Sequence, residues 1–193
     1  MKIYLIRHGQ STSDVKERYD GDYDDHLTGE GKETADQIAN KLAASSIEAI
    51  FCSSKIRAKE TSEILQQKWN CAIRINSGLN ERDIYGAFPD LKVNQPEEEY
   101  RRLGEINNDK EKMLDGVESY SDFSTRVKSS FEEILDSDYG TIVLITHGGP
   151  IRTIFRDVLG LGELKKIGNG AIIEIEKHDS SFNVVEMEGA ALN

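Results

Sequence analysis

The sequence predicts an α/β fold: a three-layer sandwich with a mainly parallel central sheet and helices on both faces. Three observations carry this expectation. Short apolar runs rich in β-branched residues alternate with stretches whose apolar residues recur at helical spacing. Two of the runs, Lys2-Ile3-Tyr4-Leu5-Ile6 and Thr141 to Thr146, are nearly continuous apolar segments, as buried strands are. The first stops at Arg7-His8-Gly9 and the second at His147-Gly148, each with a histidine followed by glycine, the residue that best tolerates a sharp turn. The 193 residues contain no internal repeat, low-complexity segment or linker, so a single domain over 1–193 is expected.

In chain order, residues 2–7 form the first strand and residues 8–28 a long polar loop, longer than the usual connection. Thr28 is placed as a helix N-cap with Gly31 in the first turn, and Ala35, Ile38, Ala39, Leu42 and Ala43 make one apolar stripe. Ile47 to Cys52 is the second strand. Ser53-Ser54 ends it and is expected to cap a helix over about 55–68 that carries Arg57 in its first turn. Cys71 to Ile75 is the third strand, leading into Leu79-Asn80-Glu81-Arg82. Residues 87–115 are mostly charged and polar, with Pro89 and Pro96, and are expected to be an insertion covering the carboxyl edge of the sheet. Phe123, Val127, Phe131, Ile134 and Leu135 mark an amphipathic helix over about 119–136. After the strand 141–146, Pro150 suits the start of a helix through about Leu159. Ala171 to Ile175 and Phe182 to Val185 are the last strands.

A hydrophobic fraction of 37% and a charged fraction of 31% fit a globular protein. The formal net charge of −11 argues against nucleic acid and anionic membranes as partners. No stretch approaches the roughly 18 apolar residues of a membrane-spanning helix. The N-terminal apolar run is too short for a signal-peptide core and is interrupted by Arg7. A cytoplasmic monomer or homodimer is the expectation. Cys52 and Cys71 form no CxxC pair and are read as small buried hydrophobes.

His8 and His147 would leave the carboxyl edge of one sheet, where open α/β sheets bind ligands. With a cation beside it, His8 is a candidate nucleophile for a phosphoryl group and Arg7 a candidate holder of that group. Metal binding is the obvious rival, but no third ligand stands at a recognisable spacing and there is no HExxH. Gly160-Leu161-Gly162 is followed by Lys165 where a dinucleotide loop needs a third small residue, and neither GxxxxGK[ST] nor GxSxG occurs. His26 and His178 lack the strand-end context and are read as surface or structural residues.

Arg7-His8-Gly9-Gln10-Ser11, followed by Arg18, Gly21, Asp24, Leu27-Thr28 and Gly31, resembles the opening signature of the histidine phosphatase superfamily, the phosphoglycerate mutase-like proteins. Ser53 with Arg57-Ala58 and Thr61 resembles its second motif, and Leu79-Asn80-Glu81-Arg82 with Gly86 its third. Gly116-Val117-Glu118-Ser119 with Arg126, then Thr146-His147-Gly148-Gly149-Pro150-Ile151-Arg152, resemble the remainder. The motifs stand in the right order from residue 2 to about residue 157.

The resemblance implies a phosphoglycerate mutase-like sandwich, a small phosphorylated substrate, and a phosphohistidine on His8, with no metal or cofactor. Neutral imidazole is available near pH 7 and needs no metal to be nucleophilic. Arg7 and Arg57 would supply charged forks for the phosphoryl oxygens, and His147 would complete the clamp. Glu81 would protonate the leaving group and then activate water. Gln10, Ser11 and the backbone amide of Gly148 are secondary phosphate contacts in this reading, and Arg82 meets an anionic group of the substrate.

The pattern departs from the family at Asp14, where asparagine is usual. A carboxylate would repel phosphate, so Asp14 is expected to orient an arginine such as Arg18. Asp20 and His26 replace the usual glutamine and proline, suggesting a more acidic rim. Residues 87–115 are shorter than the mutase insertion and heavily acidic, although Arg101-Arg102 is present. A mutase must hold its released intermediate away from water, whereas a phosphatase need only admit water. Hydrolysis of a small phosphomonoester is therefore the expected reaction. Phosphoglycerate mutase is the first alternative. A non-catalytic phosphate-binding module is the second, since fold does not fix function.

Overall fold

A computed structural model describes residues 1–16, 25–82 and 117–192. The expected covering insertion over 87–115, and the motif positions Arg18, Asp20, Gly21, Asp24, Gly86 and Gly116, lie outside the described residues. The elements are β1 (Lys2–Arg7), α1 (Thr12–Lys16), α2 (Gly29–Lys41), β2 (Ala49–Cys52), α3 (Ile56–Trp69), β3 (Ala72–Ile75), α4 (Tyr120–Leu135), β4 (Thr141–Thr146), α5 (Gly148–Thr153), β5 (Leu164–His178) and β6 (Ser181–Leu192).

The strands form one six-stranded sheet in the order β3-β2-β4-β1-β5-β6. β3, β2, β4 and β1 run parallel, while β5 and β6 are antiparallel to their neighbours, so the sheet is mixed. Alternate residues of β1 serve the two faces. Ile3 and Leu5 pack with Phe123, Val127, Phe131 and Ile134 of α4 and with Ile151 of α5. Tyr4 and Ile6 pack with Ile38 and Ala39 of α2 and with Ala58 and Leu65 of α3. This is the three-layer arrangement the periodicity predicts. Each large side chain so buried contributes roughly 1.5–3 kcal/mol, which is what holds the helices and, with them, the loops between strand ends.

Four local expectations differ from the structure. The polar segment 8–28 is not wholly a loop: it contains α1, and Ser11 bridges Leu27 in antiparallel fashion. The residue at the N-cap of α3 is Lys55, whose ammonium has no acceptor to make a side-chain capping bond, while the Ser53 hydroxyl accepts from Lys55 N at 3.3 Å and also meets Asn80 and His147. The predicted helix over 150–159 begins at Gly148 and continues beyond Thr153 as a wider turn over Ile154–Val158. The last two strands run well past 171–175 and 182–185, since register shifts between Ile167 and Ile172 and between Glu174 and Ile175 break the alternation that sequence reading relies on.

The Thr28 cap forms as expected, its hydroxyl accepting from Gly31 N at 3.0 Å. Gly31 has a second role. A Cβ on Gly31 would lie 2.1 Å from Gln10 O, and one on Gly9 would lie 2.4 Å from Gly31 O. The turn after β1 therefore touches α2 backbone to backbone, which fixes the path of the chain leaving His8. Among the described residues no helix is long and apolar enough to cross a membrane.

Candidate active site

β1 and β4 are neighbours in parallel register, with Arg7 opposite Thr146, so residues 8 and 147 leave the sheet side by side. The two imidazoles lie 4.9 Å apart between ring centroids, with their planes at 61°. Both rings are buried, His8 to 2% exposure and His147 to 1%. The backbone on either side of His8 is held as well: His8 N donates to Thr146 O at 3.0 Å and Gly170 N to His8 O at 3.1 Å.

The hydrogen bonds of His8 decide where its proton sits. Gly9 O can only accept, so its 2.7 Å contact with Nδ1 places the proton on Nδ1. Arg57 Nε donates to Nε2 at 3.1 Å, so Nε2 carries the lone pair. Burial first, then the charges of Arg57 and Arg7, hold the His8 imidazole well below its ordinary value, which keeps it neutral. Arg57 is placed in the first turn of α3. Thr61 fastens that turn to the one after β1, accepting from Gly9 N at 3.2 Å and donating to Arg57 O at 2.8 Å.

Arg7 reaches sideways from the end of β1. Its Nη1 donates to Ile167 O at 2.8 Å and its Nη2 to Asp14 Oδ1 at 2.9 Å, while its buried Nε has no hydrogen-bond partner among the described residues. Asp14 is thus the residue that orients Arg7. The expected partner Arg18 lies outside the described residues. The second Asp14 oxygen accepts from Ser11 N at 2.8 Å and Ser11 Oγ at 2.6 Å. Burial alone would push the Asp14 carboxyl up, but the bond from the Ser11 hydroxyl, with His8 and Arg7 nearby, brings it below the usual carboxylate range.

His147 caps α5 at its start and turns Nε2 to Ser53 Oγ at 2.8 Å. Burial first, then its place beside His8, Arg57, Arg7 and Lys55, hold it well below the ordinary histidine value. Glu81 arrives from the loop after β3. Its Oε2 accepts from Gly149 N at 3.0 Å and its Oε1 from Arg82 N at 3.0 Å, so the carboxyl is pinned to the same turn that presents His147. Arg126 of α4 fixes that loop: its guanidinium donates to Gly78 O and Asn80 O at 2.9 Å and to Glu81 O at 3.0 Å, and it is paired with Glu118. Thr146 Oγ1 adds a bond to Leu79 O at 2.5 Å.

Of the residues singled out in the sequence, the structure gathers Arg7, His8, Arg57 and His147, with Glu81 joined through Gly149. Gly148 is buried as the first residue of α5. The Ser11 side chain is bound to Asp14 and Ser13, and Gln10 Oε1 accepts from Thr28 Oγ1 at 2.6 Å. Arg82 is 5% exposed, donates from Nε to Glu118 O at 3.0 Å, and lies over the Tyr120 ring at 5.7 Å. Sequence reading gave no role to Asn80, Arg126 or Gly149 beyond their places in the motifs, and only a helix-capping role to Ser53, because each acts on a neighbour fixed only by the fold. His26, paired with Glu60, and His178 are exposed as expected. Cys52 and Cys71 are free thiols, Cys52 buried and Cys71 partly so. Among the described residues no group of three or more His, Cys, Asp or Glu side chains is placed to hold a metal ion.

Comparison with known proteins shows the family and the fold. The sequence profile of the histidine phosphatase superfamily (branch 1) matches residues 3–189. A curated relative, "Probable phosphoglycerate mutase GpmB" of Salmonella choleraesuis, is 30% identical over 164 residues, covering 83% of this chain and 76% of its own. Among solved structures, the alpha-ribazole phosphatase from Shigella flexneri superposes with a TM-score of 0.81 at 21% identity, covering 97% of this chain and 96% of its own. A mycobacterial glucosyl-3-phosphoglycerate phosphatase, in complex with VO3, does so with a TM-score of 0.79 at 23% identity, covering 96% of this chain and 97% of its own.

Proposed function

The chain belongs to the histidine phosphatase superfamily, branch 1, and is an enzyme of phosphoryl transfer; from that premise we propose that it hydrolyses a small phosphomonoester, without a metal, through a phosphohistidine on His8. The observation that carries this reading is the proton placement on His8, Nδ1–H to Gly9 O with the Nε2 lone pair facing the Arg57 guanidinium. A neutral imidazole so oriented is a ready nucleophile, and the guanidinium beside it is where a phosphoryl oxygen would be received.

In the first step Nε2 attacks phosphorus, the bond to the ester oxygen breaks, and Glu81 gives its proton to the departing alkoxide. In the second step Glu81 takes a proton from water, the water oxygen attacks phosphorus, and the P–N bond breaks with its electron pair returning to Nε2. Arg7, Arg57 and His147 stabilise the charge spread over the transferring oxygens. The backbone amides of Arg82 and Gly149 keep Glu81 at the edge of the site.

A second reading is supported by the name of the curated relative at 30% identity: isomerisation of a phosphoglycerate through the same phosphohistidine. The short stretch 87–115 favours hydrolysis, because its acidic residues outnumber its basic ones, Arg101-Arg102 included, a balance poorly suited to retaining a carboxylated, phosphorylated intermediate. A substrate-panel assay in EDTA separates the two. Stoichiometric phosphate release from a monoester supports hydrolysis. Dependence on a bisphosphorylated primer, with label moving between hydroxyls and little free phosphate, would replace it with the mutase reading. No turnover of any ester, with tight phosphate binding, would leave a binding module.

A further inference from the structure

The hydrogen bonds around His147 fix its proton in a way that phosphate binding must change. Ser54 N donates to Asn80 Oδ1 at 2.9 Å, which identifies that atom as the amide oxygen. Ser53 Oγ lies 2.7 Å from the same oxygen, a contact that is a hydrogen bond only if the serine donates its single proton there. Ser53 Oγ also lies 2.8 Å from His147 Nε2. With its own proton spent on Asn80, the serine can only accept from the imidazole. His147 therefore carries its proton on Nε2. The remaining nitrogen, Nδ1, is buried and has no hydrogen-bond partner among the described residues.

An oxyanion lodged among His8, Arg57 and His147 offers only acceptors. The Nε2 proton is committed to Ser53, so the imidazole can meet the anion only through Nδ1, and Nδ1 is a bare lone pair. We infer that Ser53, held by Asn80, is a positioning residue that obliges His147 to take a proton from solvent onto Nδ1 when an oxyanion binds, so that binding and proton uptake are one event. The groups that face His147 from the surrounding elements are Arg7 and His8 at the end of β1 and Lys55 and Arg57 at the start of α3. On its own turn the carboxyl of Glu81 is held at Gly149 N. Burial first, then the charges of Arg57, Arg7 and Lys55, keep the ring neutral in the empty site; the arriving negative charge reverses the balance. The inference rests on the phosphate-site reading of the preceding subsection.

The test uses sulfate, a tetrahedral dianion that does not itself titrate near neutrality, and protein labelled with 15N at its four histidines. Long-range 1H–15N correlation at neutral pH reads the protonation of each ring nitrogen. The free protein should show His147 protonated on Nε2 and bare on Nδ1, and the sulfate complex should show both nitrogens protonated. Calorimetry in buffers of differing ionisation enthalpy should then give about one more proton taken up per sulfate by the wild type than by Ser53→Ala, where the neutral ring is free to carry its proton on Nδ1. Asn80→Ala, which lets the serine donate to Nε2, should lose the same proton and serves if Ser53→Ala does not fold. A free-state proton on Nδ1, a neutral His147 in the sulfate complex, or equal uptake by wild type and variants would overturn the inference. Sulfate that moves the resonances of neither His8 nor His147 would overturn the phosphate-site reading as well, a result distinct from binding without uptake.

Discussion

Replacing Gly149 by alanine should separate the acid role proposed for Glu81 from everything else in the site. A Cβ at this position would lie 2.0 Å from Glu81 Oε1, 3.1 Å from its Cδ and 3.2 Å from Phe123 Cζ. Carbon–oxygen contacts settle near 3.5 Å, so the carboxyl must retreat by about 1.5 Å and give up its bond from Gly149 N. The atoms that yield are the tip of a flexible side chain, and alanine is a better helix residue than glycine by about 0.8–1.0 kcal/mol, so unfolding stability should change by about 1 kcal/mol at most. Catalysis is less tolerant. A displacement of about 1 Å can cost on the order of 10²-fold, within the 10²–10⁴-fold range of general acid catalysis. The assay compares kcat/KM, which reports phosphoenzyme formation, for an alkyl phosphate and for p-nitrophenyl phosphate, whose phenolate leaves without a proton. The alkyl ester should lose about 10²-fold and the aryl ester less than about 10-fold. Equal losses for the two esters, or none, in a protein of unchanged stability would refute the assignment of Glu81 as the acid.

Three further outcomes are expected. His8 and His147 are held neutral in the fold, below the ordinary value of 6.5, so below that pH the unfolded chain binds protons that the folded chain does not. Their contribution to stability is complete above about 6.5 and is lost as pH falls, by up to about 1.4 kcal/mol per pH unit for each ring. Urea titrations between about pH 7.5 and pH 5 should show a shallower decline for His147→Gln than for wild type, and parallel declines would contradict this. Asp14→Asn removes the carboxylate that neutralises Arg7 at 2.9 Å and supplies an amide donor in its place. Inhibition by inorganic phosphate should tighten by about 3- to 5-fold, the equivalent of roughly 0.6–1 kcal/mol, whereas unchanged or weaker inhibition would show that Asp14 does not restrain anion binding. Arg126→Met strands the carbonyls of Gly78, Asn80 and Glu81 and should cost about 2–4 kcal/mol in chemical denaturation, with kcat falling as the Glu81 loop loosens.

The α/β alternation and the parallel strands at the centre of the sheet were legible because a strand buried on both faces, such as β4, must be apolar throughout. The same rule placed His8 and His147, since a run that stops at a polar residue and glycine marks a strand's end. The parallel pairing of β1 with β4, which makes the two histidines neighbours, cannot be read from either strand alone. The terminal hairpin is longer than its sequence suggests because Glu186 and Glu188 lie on an edge strand that faces solvent and shows no clean apolar period. Ser53 illustrates a deeper limit. After a strand and before a helix, a serine looks like a cap, and only the packing of β3's loop beside α5 shows its hydroxyl spent on Asn80 and His147. Asp14 was readable as a departure from the family pattern, but its bond to Arg7 depends on α1, a helix of five residues too short to leave a periodic signal.

The proposed reaction presupposes that His8 Nε2 forms a bond to phosphorus. The direct test is to mix the protein with p-nitrophenyl phosphate in EDTA, quench in alkali to preserve acid-labile phosphoramidates, and locate the label by peptide mass spectrometry. Phosphate on His8 alone, appearing and decaying at the rate of turnover and absent from His8→Asn, is the predicted result. Label on another residue, or undiminished phosphate release by His8→Asn, would contradict it.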